Sequence, residues 1–418
     1  METVPLILKK AHGERLSDTE IEWMVMGYLR DRFPDYQMSA FLMAVCQRGM
    51  DTAECTALTR CMRDSGECLD LSGIGHPVCD KHSTGGVGDK TTLVVLPVVA
   101  ACGGYGAKMS GRGLGYTGGT VDKLHAIPGF STELSLGHFI RQVQTEGLAV
   151  VEQMKNLVPA DKKIYALRDV TGTVESIPLI ASSILSKKLA SGADVIVIDV
   201  KYGRGAFMKE RNSATALGNM LRQVGSALGK EVHPVLSSMD VPLGCAVGNA
   251  IEVREAIDVL RGGGPEDVRS LSVTLAAKML ALSGMGSEDE CRVAAVQSLK
   301  DGSAYDKFCR MVWAQGGDVS AVEDVELLPA AKYRQILYAE RTGEIRKMQT
   351  DKIGEAAVTL GAGRRRKDAE ISYGAGLMVF RKTGEIVKAG DALAEFYSDD
   401  KDCITAASRL YRDAVSVE

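Results

Sequence analysis

Residues 194–200 read DVIVIDV (Asp194 to Val200), and this stretch decides the fold. A continuous apolar run of strand length, without polar alternation, fits a strand covered by helices on both faces, the setting of a parallel sheet. Downstream, Ala206 to Gly229 is alanine-rich and permits a helix, and Val232 to Ser237 (VHPVLS) supplies the next strand. Together they make one βαβ unit, the crossover that parallel strands require. Upstream, Ile164 to Ala190 is helical apart from a Thr-Gly-Thr interruption at 171–173. Farther out, the first 65 residues are helical. Ser17 with Glu20 forms a capping box ahead of Ile21, Met24, Val25 and Tyr28, which keep a helical period. Pro34 and Asp35 break that helix, and further helices run from Ser39 to Gly49 and from Thr52 to Ser65.

From Val78 the texture changes to short apolar runs bounded by glycine, with a strand at Pro77 to Cys79. Thr92 to Ala101 (TLVVLPVVAA) contains Pro97, and its place after a glycine turn favours a helix. Beyond about residue 330, tight turns such as Lys382-Thr383-Gly384-Glu385 and Lys388-Ala389-Gly390-Asp391 separate short strands. The expected fold is α/β: a helical lobe and a parallel-sheet α/β lobe forming a hinged cleft, with a small β-rich α+β C-terminal domain. The expected divisions are 1–70 (helical lobe), 71–160 (α/β lobe), 161–192 (return to the helical lobe), 193–330 (α/β lobe resumed) and 331–418 (C-terminal domain).

Composition narrows the function. The 418 residues carry 50 basic and 54 acidic side chains, a formal net charge of -4, so no global field favours a nucleic acid. No run of about 18 apolar residues occurs, and METVPLILKK at the start lacks the layout of a leader, so the expectation is a soluble, cytoplasmic protein without a membrane partner. The 10 cysteines are scattered without a CxxC pair and read as reduced thiols. Glycine is abundant at 45 residues, which points to close backbone approach to a ligand.

Asp80 to Asp89 (DKHSTGGVGD) is the densest chemical segment. Glycines 85, 86 and 88 let successive N–H groups face one point, to which Lys81, Ser83 and Thr84 add charge and donors. The result reads as an anion cradle, distinct from the GxxxxGK[ST] and GxGxxG patterns, or else as a tight turn capping a helix. Lys108 to Thr120 (KMSGRGLGYTGGT) repeats the recipe of cations, hydroxyls and glycines, and a single anion gripped from two sides accounts for both. His82, beside that anion, suits a general acid. His125 and His138 have no metal-ligand partner at the required spacing, so no zinc is expected. In a third cluster, Ser183 and Lys187 are i,i+4 on one helical face and, with Arg168, form a cationic rim fit for the carbonyl edge of a heterocycle. The same residues also read as an ordinary solvated face.

The segments KHSTGGVGD (81–89), SGRGLGYTGGTVDKL (110–124), YALRDVTGTVESIPLIASSILSKKLASGAD (165–194), PLGCAVGNAIEVREA (242–256) and GAGRRRKDAEISYGAGLMVF (361–380) resemble the pyrimidine-nucleoside and thymidine phosphorylase family, over nearly the whole chain. The resemblance implies phosphorolysis of uridine, thymidine and deoxyuridine to free base and (deoxy)ribose 1-phosphate, with phosphate as co-substrate and no cofactor needed for the chemistry. It implies phosphate held by Lys81, Ser83, Thr92, Lys108, Ser110 and Thr120, and a base read by Arg168, Ser183 and Lys187. His82 would protonate or hydrogen-bond the pyrimidine O2, with Lys81 beside it in the catalytic pair. A lysine at 108 goes with broad sugar specificity, where strict thymidine phosphorylases can carry methionine. A homodimer through the helical lobe, and catalysis on closure of the cleft, are implied as well.

Several residues depart from the family pattern. His125 stands where a carboxylate is common, and Tyr202 and Arg204 are bulky in the VKxGxGAF turn, which puts the substrate range in question. Lys90 stands where some relatives have a threonine that, with Gly88, Leu243, Ala246 and Glu255, surrounds a monovalent cation such as potassium. The Lys90 ammonium either takes the ion's place or points to solvent. Two other functions fit parts of the sequence. A phosphoribosyltransferase of related fold would need a diphosphate with magnesium, and the anion loops show no adjacent acidic pair for that metal. A regulatory binding protein without turnover would suit the odd residues, but His82, Arg168, Ser183 and Lys187 are intact.

Overall fold

In a computed structural model of the chain, residues 1–113, 118–154, 156–364 and 369–418 are described. Five strands, β1 (Val78–Ser83), β2 (Tyr105–Ser110), β3 (Leu148–Glu152), β4 (Val195–Tyr202) and β5 (Val232–Ser238), form a parallel sheet in the order β3-β2-β1-β4-β5. Every connection between strands consecutive in sequence contains at least one helix, as parallel pairing demands. All of the 194–200 stretch but Asp194 lies in β4, whose first seven residues are buried. The chain divides into two compact units. The first comprises Met1–His82, Gln153–Val200 and Arg211–Leu236, and the second Ser83–Glu152, Lys201–Glu210 and Ser237–Glu418.

In the first unit, helices Thr3–Ala11, Asp18–Leu29, Asp35–Arg48 and Thr52–Arg63 are followed later by Pro159–Thr171, Ile177–Ala190 and Arg211–Ala227. Ser17 and Glu20 close the expected capping box, and Ile21, Met24, Val25 and Tyr28 are buried. A second capping box pairs Asp51 with Glu54, and Glu54 also accepts from Lys10 Nζ at 2.8 Å and from the Leu16 amide at 2.9 Å. One buried carboxylate thereby ties the first helix to the fourth. The third helix begins at Asp35, ahead of the expected Ser39, because Pro34 takes the N-cap position and leads into the helix. Strand β1 runs to Ser83, beyond the expected end at Cys79. Its pattern hides this: Asp80 and Lys81 are polar yet buried, Asp80 pairing with Lys188 at 2.7 Å and Lys81 lying 3.9 Å from Asp199.

In the second unit, helix Thr91–Ala101 keeps Pro97 inside it and has all but its last residue buried, as a helix apolar on every side must. Helices Ala250–Leu260, Glu266–Leu282, Glu288–Lys300 and Ser303–Ala314 follow. Seven further strands are β6 (Ala246–Gly248), β7 (Tyr333–Tyr338), β8 (Gly343–Met348), β9 (Gly376–Val379), β10 (Ile386–Val387), β11 (Ala392–Ser398) and β12 (Val415–Val417). They make one sheet in the order β6-β9-β11-β7 and another in the order β10-β8-β12. The pairings β11 with β7, β11 with β9, β6 with β9, β10 with β8 and β12 with β8 are antiparallel. Helices Thr350–Leu360 and Lys401–Ala414 pack here, with Phe396 and Tyr411 edge to face at 5.7 Å. Strand β6 joins this sheet from a distant part of the sequence, with Ala246 opposite Met378.

Candidate active site

The second unit holds the glycine loop that the sequence marks as a candidate anion cradle. Ser83 ends β1, and its Oγ accepts the Gly85 amide at 3.2 Å, turning the chain into the glycine loop. Thr84 Oγ1 accepts the Lys201 amide at 2.9 Å, and the buried Lys201 ammonium lies 3.3 Å from Ser237 Oγ and 3.7 Å from Asp89 Oδ2. Asp89 Oδ1 in turn accepts from the Thr91 amide and hydroxyl at 3.2 and 2.6 Å, which fixes the start of the helix bearing Thr92. Strand β2 carries Lys108, only 4% exposed, and ends at Ser110. Because β1 and β2 are neighbours in the sheet, Ser83 and Ser110 close adjacent strands, about 4.8 Å apart in such a ladder.

The second glycine loop is held by its ends. The Gly113 amide donates to Asp122 Oδ2 at 2.7 Å, and Arg364 donates to Asp122 Oδ1 at 2.7 Å. Lys123 donates to the Gly118 carbonyl at 3.1 Å and lies 3.3 Å from Glu252. A Cβ at Gly119 would meet the Gly113 amide nitrogen at 2.1 Å, so only glycine fits beside Gly113 here. Thr120 then opens helix Thr120–His125. Residues 114–117 of the SGRGLGYTGGTVDKL segment and 365–368 of GAGRRRKDAEISYGAGLMVF lie outside the described residues.

Lys90 does not point to solvent. It is 1% exposed and donates to the carbonyls of Leu243 at 2.9 Å and Ala246 at 2.8 Å and to Glu255 Oε2. Burial disfavours its charge, but Glu255 and Glu252 outweigh that and raise its pKa above the ordinary lysine value. Gly88, with φ +77°, lies against the same place, since a Cβ there would sit 2.6 Å from the Leu243 oxygen.

The first unit holds the other two groups. Lys81, 1% exposed, and the half-buried His82 are the two residues of β1 before Ser83. On helix Ile177–Ala190, Lys187 Nζ donates to Ser183 Oγ at 2.7 Å, as one-turn spacing allows, and to Asp161 Oδ2 at 2.6 Å. Arg168 is 2% exposed, and its guanidinium donates to the carbonyls of Thr173, Val174 and Leu179 at 3.0, 2.8 and 3.1 Å. Burial lowers its pKa against the pull of Asp161. The Tyr165 ring lies beneath both cations, 5.5 Å from the Arg168 guanidinium carbon and 5.7 Å from Lys187 Nζ. The third cluster is therefore a built constellation around one buried cation, Arg168, and one half-buried cation, Lys187, which a solvated helical face is not.

Comparison with known proteins places the chain. Models of the glycosyl transferase family match residues 4–66 (helical bundle domain) and 75–305 (a/b domain), and the pyrimidine nucleoside phosphorylase C-terminal domain matches 344–418. The pyrimidine-nucleoside phosphorylase of Geobacillus stearothermophilus is 49% identical over 99% of this chain and 96% of that protein. The chain belongs to the pyrimidine-nucleoside phosphorylase family. The Bacillus subtilis member is 48% identical over 98% of this chain and 95% of its own length. Anthranilate phosphoribosyltransferase from Thermus thermophilus shares the fold, with a TM-score of 0.59 at 19% identity over 74% of this chain and 99% of that one.

Within this family member, sequence inspection misses the partners that set the site residues. Asp161 carries a signal, because Asp161, Tyr165 and Arg168 are spaced as one helical face. Lys201 follows directly on the run that decides the fold, yet its role in backing the cradle depends on Asp89 and Ser237, which sequence spacing does not reveal. The departures find ordinary partners: His125 Nε2 lies 2.9 Å from Thr132 Oγ1, the Tyr202 carbonyl accepts the Met239 amide, and Arg204 donates to the Met348 carbonyl at 3.2 Å.

Proposed function

We propose that this chain catalyses phosphorolysis of pyrimidine nucleosides to free base and pentose 1-phosphate, acting on uridine, deoxyuridine and thymidine. The observation that carries the proposal is the cradle of Ser83 to Gly88, backed by Lys201, in a chain of this family. Phosphate is assigned to Lys81, Ser83, Thr92, Lys108, Ser110 and Thr120, where buried cations and hydroxyls supply charge-assisted contacts. The base is assigned to Arg168, Ser183 and Lys187, with Tyr165 as the ring beneath them. As the C1′–N1 bond lengthens, positive charge builds on the sugar and negative charge on the pyrimidine. A phosphate oxygen forms the new bond to C1′, the electron pair of the broken bond leaves with the base, and His82 donates a hydrogen bond or proton at O2. Cations already in place stabilise both anions without reorganising at the moment of reaction.

Lys108 supports acceptance of both sugars, because a cation tolerates a 2′-hydroxyl better than an apolar chain does. Val4 and Leu8, exposed one turn apart on the first helix, support a homodimer through the helical lobe, testable by sedimentation. The scattered spacing of the ten cysteines, with no CxxC pair, supports a reducing, cytoplasmic setting. No helix among the described residues is long and apolar enough to cross a membrane. Incubation with phosphate and each nucleoside, following free base, tests the assignment. Turnover of uridine within about a thousandfold of thymidine in kcat/KM, roughly 4 kcal/mol, is expected. Failure on all three, or transfer from a ribosyl diphosphate with magnesium instead, would overturn it.

A further inference from the structure

Lys90 immediately precedes helix Thr91–Ala101, where burial and the positive end of the helix dipole both disfavour a cation. Oxygen holds it there. An ammonium has three N–H donors and no acceptor, and the Leu243 carbonyl, the Ala246 carbonyl and Glu255 Oε2 supply three acceptors. Two carbonyls and a carboxylate also form the kind of donor set that holds a hard cation. The other oxygen of Glu255 is engaged by the amides of Cys245 and Ala246 at 2.8 and 3.0 Å. The nearby carboxylate Glu252 already faces Lys123 at 3.3 Å. A metal ion added to this cage would meet the ammonium at contact range, and the other carboxylates near it are already paired, Glu252 with Lys123 and Asp267 with Lys382 at 2.7 Å, so the residues present do not fit the potassium that the sequence resemblance implies.

We propose that Lys90 is a covalently tethered monovalent cation: its ammonium fills the oxygen cage that fastens the 84–90 loop to the 243–255 segment, and the protein needs no potassium there. The loop it fastens is the anion cradle, and Gly88 brings the loop backbone against the same Leu243 oxygen. Shortening the side chain then leaves the oxygens facing an ion-sized space, and a free cation of similar size restores the link. The proposal stands apart from the catalytic assignment, since its test reads folding without substrate.

The experiment compares thermal unfolding of the full chain in potassium chloride and in tetramethylammonium chloride at equal ionic strength. Wild type is expected to unfold within about 1 °C in the two salts. Lys90→Thr and, with more room, Lys90→Ser are expected to unfold lower than wild type in tetramethylammonium chloride. Both should recover at least about 5 °C as potassium is titrated in, saturably. A saturable potassium-induced rise in wild type would overturn the proposal. So would variants indifferent to the salt, or variants that fail to fold in potassium chloride, where the replacement ion is at hand.

Discussion

Lys81 concentrates the argument at the scale of one residue. Lys81 lies on a buried central strand, and Asp199, 3.9 Å from its ammonium, offsets part of the cost of burying a cation there. Under the proposed assignment, phosphate would gain a contact already stripped of water. Lys81→Ala is expected to lower kcat/KM for phosphate by about 2 to 4 kcal/mol, roughly 30- to 800-fold, in initial-rate assays at fixed uridine. His125 gives a pH prediction with a definite sign. Burial, helped by Arg112, lowers its pKa below the ordinary 6.5, so the unfolded chain binds the proton more readily. Stability is therefore present above the ordinary value and lost as pH falls through it toward the folded value. Melting temperatures taken from about pH 7 down to about pH 5 should fall more steeply for wild type than for His125→Gln, which has no proton to bind. Equal slopes would show that His125 contributes nothing to the acid limb.

The elements follow from these pairings. Asp122 sits on helix Thr120–His125 and holds the Gly113 amide with one oxygen and Arg364 with the other, at a sequence separation of 242 residues from Arg364. Both side chains are nearly buried, so removing one leaves an uncompensated charge. Arg364→Met is expected to cost about 3 to 5 kcal/mol in urea unfolding and to weaken phosphate use, while Arg364→Lys keeps part of both. A neutral result would mean that the loop is held by other groups. This pair also shows where sequence inspection stops. β4 was legible because its apolar run has one physical explanation, and the second helix because its capping box and period agree. The far end of β1 was not, since Asp80 and Lys81 are polar residues whose burial depends on Lys188 and Asp199. Glycine, lysine and hydroxyl spacing marks the two glycine loops with Lys81 and Ser83 as anion-binding candidates, whereas the roles of Thr92, Ser110 and Thr120 and of Arg168, Ser183 and Lys187 come from the family resemblance. Asp161 is signalled only by its helical spacing to Arg168, and Arg364 by nothing local, because a guanidinium 242 residues from Asp122 acquires its meaning only from the partner that the fold delivers.

For the whole molecule, the cradle in the second unit and the cationic set of the first are the two parts that the proposed reaction employs. Hydrolysis and phosphorolysis would both release free base, and they differ only in which nucleophile reaches C1′. The proposed assignment gives Lys81, Lys108 and the residues of both glycine loops to an anion, and it gives no described group the task of orienting a water. The most direct measurement is product stoichiometry from uridine with and without phosphate, reading uracil by absorbance and ribose 1-phosphate by phosphorus NMR. The account predicts one ribose 1-phosphate for each uracil in phosphate buffer and no uracil release when phosphate is removed. Uracil released undiminished in phosphate-free buffer, with free ribose as its companion, would contradict it.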